Sequence, residues 1–193
     1  NWVLDFRWLG PILNQSFWRD EAFSVLMAQK SPWEIIRLTT QDVQPPLYYL
    51  ILHYWLIFFG SDEISVRTLS FVLTVLTSLV IFFIFKKISK SNIAAIIVSA
   101  ATFLNPFLLH YAFEARMYAM LAFFTVLSVW LALSKKYFLS GLTLALSLLT
   151  HNFAVFNFIA FSLWFITVNR NRFQPKSFLA MMILPIVALF LWG

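Results

Sequence analysis

The sequence predicts an all-α protein, a polytopic helical bundle of the membrane, and three observations carry that prediction. First, 61% of the 193 residues are hydrophobic and only 11% are charged, whereas a soluble domain carries about a quarter charged residues. Second, the mean hydropathy is +0.82. Third, long apolar runs alternate with short polar segments along most of the chain. Together these features exclude a soluble enzyme, a disordered chain and a nucleic-acid-binding protein.

Residues 1–63 predict a long extracytoplasmic loop with short interfacial helices, and their first part, 1–46, is the most polar stretch of the chain. Acids alternate with tryptophans there, and indole rings settle at the headgroup level of a bilayer. The acids are Asp5, Asp20, Glu21, Glu34 and Asp42, and the tryptophans are Trp2, Trp8, Trp18 and Trp33. The apolar run 47–59 within this loop is too short to cross, because a span needs about 20 helical residues.

About six membrane spans are predicted after this loop, namely 64–85, 91–109, 117–134, 137–150, 153–168 and 177–193. If 47–59 does not cross, eight cations share one side with no acid among them. They are Lys86, Lys87, Lys90, Lys135, Lys136, Arg170, Arg172 and Lys176. Such an excess marks the cytoplasmic side, so every acid falls on the extracytoplasmic side. The chain starts at Asn1 without Met and stops at Gly193 inside an apolar run. We therefore expect one membrane domain over 1–193, a fragment of a longer protein.

The adjacent acids Asp20 and Glu21 are the first candidates for chemistry. Neighbouring side chains point about 100° apart on a helix, so the two carboxylates cannot do one job. One could face a reaction centre as a general base while the other holds a cation or a backbone amide. The alternative is a solvated loop, or a helix N-terminus whose dipole favours acids. Tyr48, which follows two prolines, is a candidate for lining an acceptor groove, against a plain helix start.

Arg67 lies at the outer end of the first full span. An arginine there could clamp a lipid phosphate through paired N–H donors, or it could pair with Asp62 or Glu63. Polar side chains follow Arg67 on the same helix face, and such a stripe favours helix–helix packing over a binding site. They are Ser70, Thr74 and Thr77.

The sharpest cluster is the segment 110–118, which contains His110, Glu114, Arg116 and Tyr118. His110 and Glu114 are four residues apart and share one helix face. Ionisable groups at a membrane boundary are usually functional or paired, so the alternative is a structural ion pair with the first loop. Two ligands do not make a metal site, and none is predicted. His151 lies at an outer turn between two short apolar runs, where a catalytic and a merely satisfied histidine are equally compatible with the sequence.

The order of several motifs resembles the GT-C superfamily of membrane glycosyltransferases. The motifs are Trp-Arg-Asp-Glu-Ala (18–22), Gln-Pro-Pro-Leu-Tyr-Tyr (44–49), Phe-Gly-Ser (59–61), Val-Arg-Thr-Leu-Ser (66–70), Glu-Ala-Arg-Met-Tyr-Ala (114–119) and the turn 150–152. They are most similar to bacterial members related to protein O-mannosyltransferases and lipid A aminoarabinose transferases. The resemblance implies an enzyme of the bacterial inner membrane with an extracytoplasmic active site. It also implies a polyprenyl-phosphate sugar donor, inversion of the anomeric centre, and Asp20 as the base or acceptor-positioning group.

This resemblance implies that Arg67 lies near the donor phosphate. The chemistry fits the residues: Arg67 and Arg116 would stabilise the leaving phosphate, with His110 or His151 assisting. Glu21 and Glu114 would orient the acceptor, hold a basic partner, or bind a divalent ion if the reaction uses one. The acceptor would be a hydroxyl of a protein or a glycolipid, and the apolar spans would receive the polyprenyl tail. The competing function is a transporter or lipid flippase, which would place ionisable residues near the bilayer midplane.

Overall fold

A computed structural model describes residues 16–41, 44–168 and 175–192, and within these ranges every regular element is an α-helix. The helices are α1 (Arg19–Ala28), α2 (Pro32–Thr39), α3 (Leu47–Phe59), α4 (Glu63–Ser89), α5 (Asn92–Phe103), α6 (Pro106–Ala112), α7 (Tyr118–Leu133), α8 (Tyr137–Leu148), α9 (Ala154–Val168) and α10 (Pro175–Trp192). The predicted features at Trp2, Asp5, Trp8, Asp42, Arg170 and Arg172 lie outside the described residues. The all-α membrane bundle predicted from composition is confirmed.

Two of the described helices, α4 and α10, are long and apolar enough to cross a membrane by length and composition. The bent pair α5 and α6 would make a third span. Helices α3, α7, α8 and α9 are apolar but shorter, so the number of about six spans stays a prediction. Large apolar side chains remain exposed around the bundle, for example Ile93, Phe156 and Phe190. A surface of this kind suits contact with lipid.

The predicted span 91–109 is formed by two helices instead of one. Helix α5 ends at Phe103 and α6 begins at Pro106, with a bend of 61° between them. Pro106 has no N–H to continue the α5 hydrogen-bond ladder. The Asn105 side chain instead caps α6, accepting hydrogen bonds from the N–H groups of Phe107 at 3.0 Å and Leu108 at 3.3 Å. The bend carries α6 towards the end of the bundle where the acids gather.

Capping residues fix the helices that lead into the bundle. In α2, the Ser31 side chain accepts from the Glu34 N–H, and the Glu34 carboxylate accepts from Ser31 in return, which is a capping box. The Asp62 carboxylate accepts from Ser65 N–H at 3.0 Å and starts α4. The indole N–H of Trp55 donates to the Ser65 carbonyl at 2.9 Å. This contact ties α3 to the first turn of α4.

Small polar side chains hold neighbouring helices together. The polar stripe on α4 (Ser70, Thr74 and Thr77) is buried, and the hydroxyls of Thr74 and Thr77 donate to carbonyls of α4 itself at 2.9 and 2.8 Å. Two other serines make contacts between helices. The hydroxyl of Ser99 on α5 donates to the Ser78 carbonyl of α4 at 2.7 Å. Ser140 on α8 donates to a carbonyl of α7 at 2.8 Å. These contacts let the helix backbones approach closely, as small residues do in membrane bundles.

Candidate functional site

Four segments that are distant in sequence meet at one end of the bundle. They are the start of α1, the first turns of α4, the turn 113–117 between α6 and α7, and the turn 149–153 between α8 and α9. Contacts between α1, α4 and the turn 113–117, and between Tyr118 and His151, hold these segments together. A backbone hydrogen bond from Leu47 N–H to the Leu149 carbonyl at 3.0 Å attaches the start of α3 to the last of these turns.

The inner of two acid–arginine pairs joins α1 to α4. Arg67 Nε donates to Glu21 Oε1 at 3.0 Å, and Arg67 Nη2 donates to Glu21 Oε2 at 2.6 Å. Glu21 Oε1 also accepts from the backbone N–H of Ala115 at 2.9 Å. The side chains of Arg67 and Glu21 are only 4% and 1% exposed. Glu21 therefore holds a basic partner and a backbone amide together, in a buried clamp.

Arg67 does not pair with the acids that follow α3, which were the predicted alternative partners. Asp62 is occupied as the N-cap of α4, and Arg67 turns into the bundle towards Glu21. In this arrangement Arg67 is buried behind α1 instead of being presented to solvent. Its predicted contact with a lipid phosphate stays a prediction.

The outer pair lies immediately beside the inner one. Arg116 Nη1 donates to Asp20 Oδ2 at 2.6 Å, and the two side chains are 17% and 44% exposed. Arg116 Nη2 reaches the hydroxyl of Tyr118 at 3.3 Å, and the guanidinium lies over the Tyr118 ring at 5.4 Å from its centroid. Within the described residues its Nε is buried without a hydrogen-bond partner. Burial alone would lower the pKa of Arg116, but Tyr118 and Asp20 hold it above its ordinary value.

His110 and Glu114 are in contact, as their spacing indicates. His110 Nε2 lies 2.9 Å from Glu114 Oε1. Partial burial raises the pKa of Glu114, although His110 opposes that shift. Across the described part of the chain, no three Asp, Glu or His side chains converge as a metal site. The divalent-ion alternative for Glu21 and Glu114 stays a prediction.

His151 joins the same cluster through aromatic contacts. Its ring lies 5.5 Å from the Tyr118 ring and 4.6 Å from the Phe153 ring, centroid to centroid. Its Nδ1 accepts a hydrogen bond from the backbone N–H of Phe153 at 3.0 Å. Burial, with Arg116 nearby, lowers the pKa of His151. The imidazole is therefore favoured in its neutral form.

Tyr48 is brought into the region but not to its surface. The side chain is completely buried, packed against the Tyr49 ring at 5.7 Å. Burial, helped by Tyr49 and Glu21, raises the pKa of its hydroxyl. The predicted contact of Tyr48 with an acceptor stays a prediction.

An apolar cavity of about 430 Å³ opens beside the polar cluster. Tyr111 and Tyr118 belong to both, since their rings lie 4.6 Å apart and both line the cavity. The remaining wall comes from α4, α6, α7 and the start of α9. It includes Thr74, Thr77, Phe107, Thr125, Phe153 and Asn157. A polar cluster is thus continuous with an apolar slot inside the bundle.

Sequence reasoning missed two polar residues of this cavity. Asn157 Nδ2 donates to Thr125 Oγ1 at 2.9 Å, linking α9 to α7. The available signal was weak: each is a polar residue inside an otherwise apolar run. Nothing in their spacing indicates that they face each other.

One comparison with known proteins, against family models, finds a match. Residues 43–192 match the family described as dolichyl-phosphate-mannose-protein mannosyltransferase. The chain belongs to this family. The resemblance to GT-C membrane glycosyltransferases is confirmed, and the protein is a membrane glycosyltransferase of the mannosyltransferase type. No curated protein and no solved structure gives a significant match.

The match to the mannosyltransferase family begins after α1, so it does not include Asp20 and Glu21. It does include Arg67 and the turn 113–117, which are the partners of those two acids. The structure therefore connects α1 to the family-matched part of the chain through both acid–arginine pairs.

Proposed function

We propose that this protein transfers a sugar from a polyprenyl-phosphate donor to a hydroxyl group of a protein or glycolipid, with inversion at the anomeric carbon. The observation that carries the proposal is the partly exposed Asp20–Arg116 pair, whose arginine contacts Tyr118 in the wall of an apolar cavity. Glycosyl transfer needs a base for the acceptor hydroxyl and a cation for the charge developing on the leaving phosphate. The outer pair supplies one of each.

Arg116 is the cation in the proposed reaction. As the bond between the anomeric carbon and the phosphate oxygen breaks, negative charge grows on that phosphate. A guanidinium offers planar N–H donors that match phosphate oxygens, and Arg116 Nε has no partner among the described residues. When Arg116 turns to the donor phosphate, an oxygen of Asp20 is released for the acceptor hydroxyl.

Asp20 is the base in the proposed reaction. Its carboxylate takes the proton of the acceptor hydroxyl while the hydroxyl oxygen forms the new bond to the anomeric carbon. The polyprenyl phosphate leaves from the opposite face of the sugar, so a single displacement inverts the anomeric centre. The cavity beside Tyr118 would receive the first part of the prenyl chain, since its lining is mostly apolar.

The inner pair has a positioning role in this proposal. Glu21 holds Arg67 and the Ala115 N–H at once, and the outer pair is formed by the residue before Glu21 and the residue after Ala115. Fixing Glu21 against Ala115 therefore fixes Asp20 opposite Arg116. Proximity and orientation of this kind supply much of the rate enhancement of an enzyme.

The orientation in the membrane follows from the charges. The lysines of the last turn of α4 and those after α7 lie at the end of the bundle opposite to Asp20 and Glu21, with Lys87 Nζ 3.2 Å from the Ser134 hydroxyl. Because cytoplasmic loops carry the excess of lysine and arginine, we infer that the acid-rich end faces the extracytoplasmic side. The bacterial inner membrane is the proposed location.

The decisive experiment compares full-length wild-type protein with Asp20→Asn, using a polyprenyl-phosphate sugar as donor. Loss of the base should lower turnover by about 10²–10⁴-fold, while expression and folding are retained. Glu34→Gln is the matched control, because Glu34 is an exposed acid in the capping box of α2. Full activity of Asp20→Asn would remove Asp20 from its role. Solute transport without consumption of donor would favour the transporter instead.

A further inference from the structure

Each of the three histidines contacts a different kind of partner. His110 contacts a carboxylate, and the backbone partners of His53 and His151 decide where the protons of those two rings lie. A neutral imidazole donates from one nitrogen and accepts at the other. His53 Nδ1 lies 2.8 Å from the Ala28 carbonyl oxygen, which can only accept, so His53 carries its proton on Nδ1. His151 Nδ1 faces the opposite partner, the Phe153 N–H at 3.0 Å, so it must be the bare, accepting nitrogen.

It follows that the proton of neutral His151 is on Nε2. Within the described part of the chain, Nε2 donates to no side chain or carbonyl. The ring is held on two sides, by Tyr118 and by Phe153, so it presents this N–H in a fixed direction. The histidine is buried, and Arg116 is the charged neighbour that acts on it. Protonation would put a second cation beside the guanidinium.

We infer that His151 is locked as an Nε2–H donor and that its ligand is a phosphate oxygen of the lipid-linked substrate. The inference rests on the proposed function for the identity of the ligand. Tyr118 connects the two donors, since it contacts the Arg116 guanidinium on one side and the His151 ring on the other. The same tyrosine lines the apolar cavity, so a phosphate bound there can have its lipid chain in the bundle.

This assignment excludes His151 from acid–base work. Its Nδ1 lone pair is used by a backbone amide, and its Nε2 already carries a proton. Burial and the neighbouring Arg116 lower the pKa of His151, so it is less protonated than an ordinary imidazole at the same pH. His151 is therefore assigned as a neutral binding residue.

The first test measures the tautomers of the histidines in the wild-type protein. Solid-state ¹⁵N spectra of histidine-labelled full-length protein should show His151 with protonated Nε2 and bare Nδ1 at pH 6.5. His53 should show a protonated Nδ1, since that nitrogen faces the Ala28 carbonyl, and serves as the internal reference. Single variants of each histidine assign the signals. A His151 signal with protonated Nδ1, or with both nitrogens protonated at pH 6.5, would overturn the inference.

The second test measures binding of a polyprenyl monophosphate to His151→Gln and His151→Phe. Glutamine keeps an N–H donor near the position of Nε2, whereas phenylalanine keeps only the ring. We expect His151→Gln to bind within about threefold of wild type and His151→Phe to bind about ten- to a hundredfold more weakly, the usual effect of losing a hydrogen bond to a charged group. His53→Gln and His53→Phe are the matched controls and should bind like wild type.

Equal weakening in both His151 variants would indicate a purely structural role and would overturn the inference. So would wild-type affinity in His151→Phe, or absence of binding in the wild type. Inorganic phosphate is the control ligand, and competition as strong as that of the lipid would overturn the assignment to a lipid. If the expected binding contrast is seen but no sugar is transferred, the proposed function fails and the inference about His151 stands.

Discussion

The two acid–arginine pairs differ in burial although their acids are consecutive residues. Glu21 and Arg67 are sealed inside the bundle, with side chains 1% and 4% exposed, whereas Asp20 and Arg116 are 44% and 17% exposed. The inner pair is bidentate and also binds the Ala115 N–H. The outer pair has one short contact and an unpartnered Nε among the described residues.

This difference in burial indicates different roles for the two pairs. A buried carboxylate with three hydrogen bonds cannot exchange partners without leaving a charge unpaired in a region of low dielectric. A half-exposed carboxylate with one arginine can exchange, because water and substrate compete for it. The inner pair therefore suits positioning, and the outer pair suits chemistry.

The largest expected effect is on stability, from Glu21→Ala. This change leaves Arg67 buried with its main counter-charge removed and the Ala115 N–H without its acceptor. Breaking a buried pair from one side costs about 3–5 kcal/mol, so we expect a large fall in thermal unfolding temperature in detergent. Asp20→Ala should change stability by about 1 kcal/mol or less, because a half-exposed ion pair contributes little.

The double variant Glu21→Gln with Arg67→Met is the control for that result. Removing both charges avoids the unpaired cation, and such double replacements are often close to neutral. It should therefore recover much of the stability lost in Glu21→Ala. Equal losses in Glu21→Ala and Asp20→Ala would contradict the distinction between the pairs.

A smaller effect is expected from replacing each arginine by lysine. Arg67→Lys keeps the charge but cannot reproduce two parallel N–H bonds to one carboxylate, so it should lower stability by about 1–3 kcal/mol. Arg116→Lys should leave stability within about 1 kcal/mol and lower the transfer rate instead. Unfolding curves and donor turnover measured on the same preparations separate the two outcomes. If Arg67→Lys reduced turnover at unchanged stability, Arg67 would belong with the chemistry.

The sequence predicted the helices well where the apolar runs were long. The run 64–85 became α4, and the runs after residue 117 became α7 to α10. The break between α5 and α6 was not predicted, although the sequence contains a signal for it. Asn105 is a capping residue, and Pro106 is favoured at the first position of a helix. Apolar content alone hides such a break, since both halves are equally hydrophobic.

The candidate site was predicted as a set of residues but not as a set of contacts. The His110–Glu114 contact follows from helical spacing and was predictable. Glu21 and Arg67 are 46 residues apart, and Glu21 and Ala115 are 94 apart, so only the packing of α1 against α4 and the turn 113–117 reveals those contacts. For Arg67 the nearby acids Asp62 and Glu63 were the obvious partners in sequence, but the N-cap role of Asp62 removes one of them.

The smallest expected effect is the pH dependence of stability that comes from Glu114. This third acid of the site contacts a histidine instead of an arginine, so it extends the comparison of the two acid–arginine pairs. Burial raises the pKa of Glu114 above its ordinary value of 4.5, so the ionised form is disfavoured by folding. Its contribution to stability is fully present below pH 4.5 and is lost as pH rises through the raised pKa. Glu114→Gln should therefore gain stability relative to wild type as pH rises from 4 to 8, by about 1 kcal/mol or less.

The matched control for that pH dependence is Glu34→Gln, for which the sign is opposite. Hydrogen bonds from the Ser31 hydroxyl and N–H lower the pKa of Glu34, so its contribution is present above its ordinary pKa and is lost as pH falls. Unfolding temperatures of wild type and both variants across pH 4–8 should therefore diverge in opposite directions. If Glu114→Gln instead lost stability at neutral pH, the contact with His110 would outweigh burial, and Glu114 would act as a paired acid like Glu21.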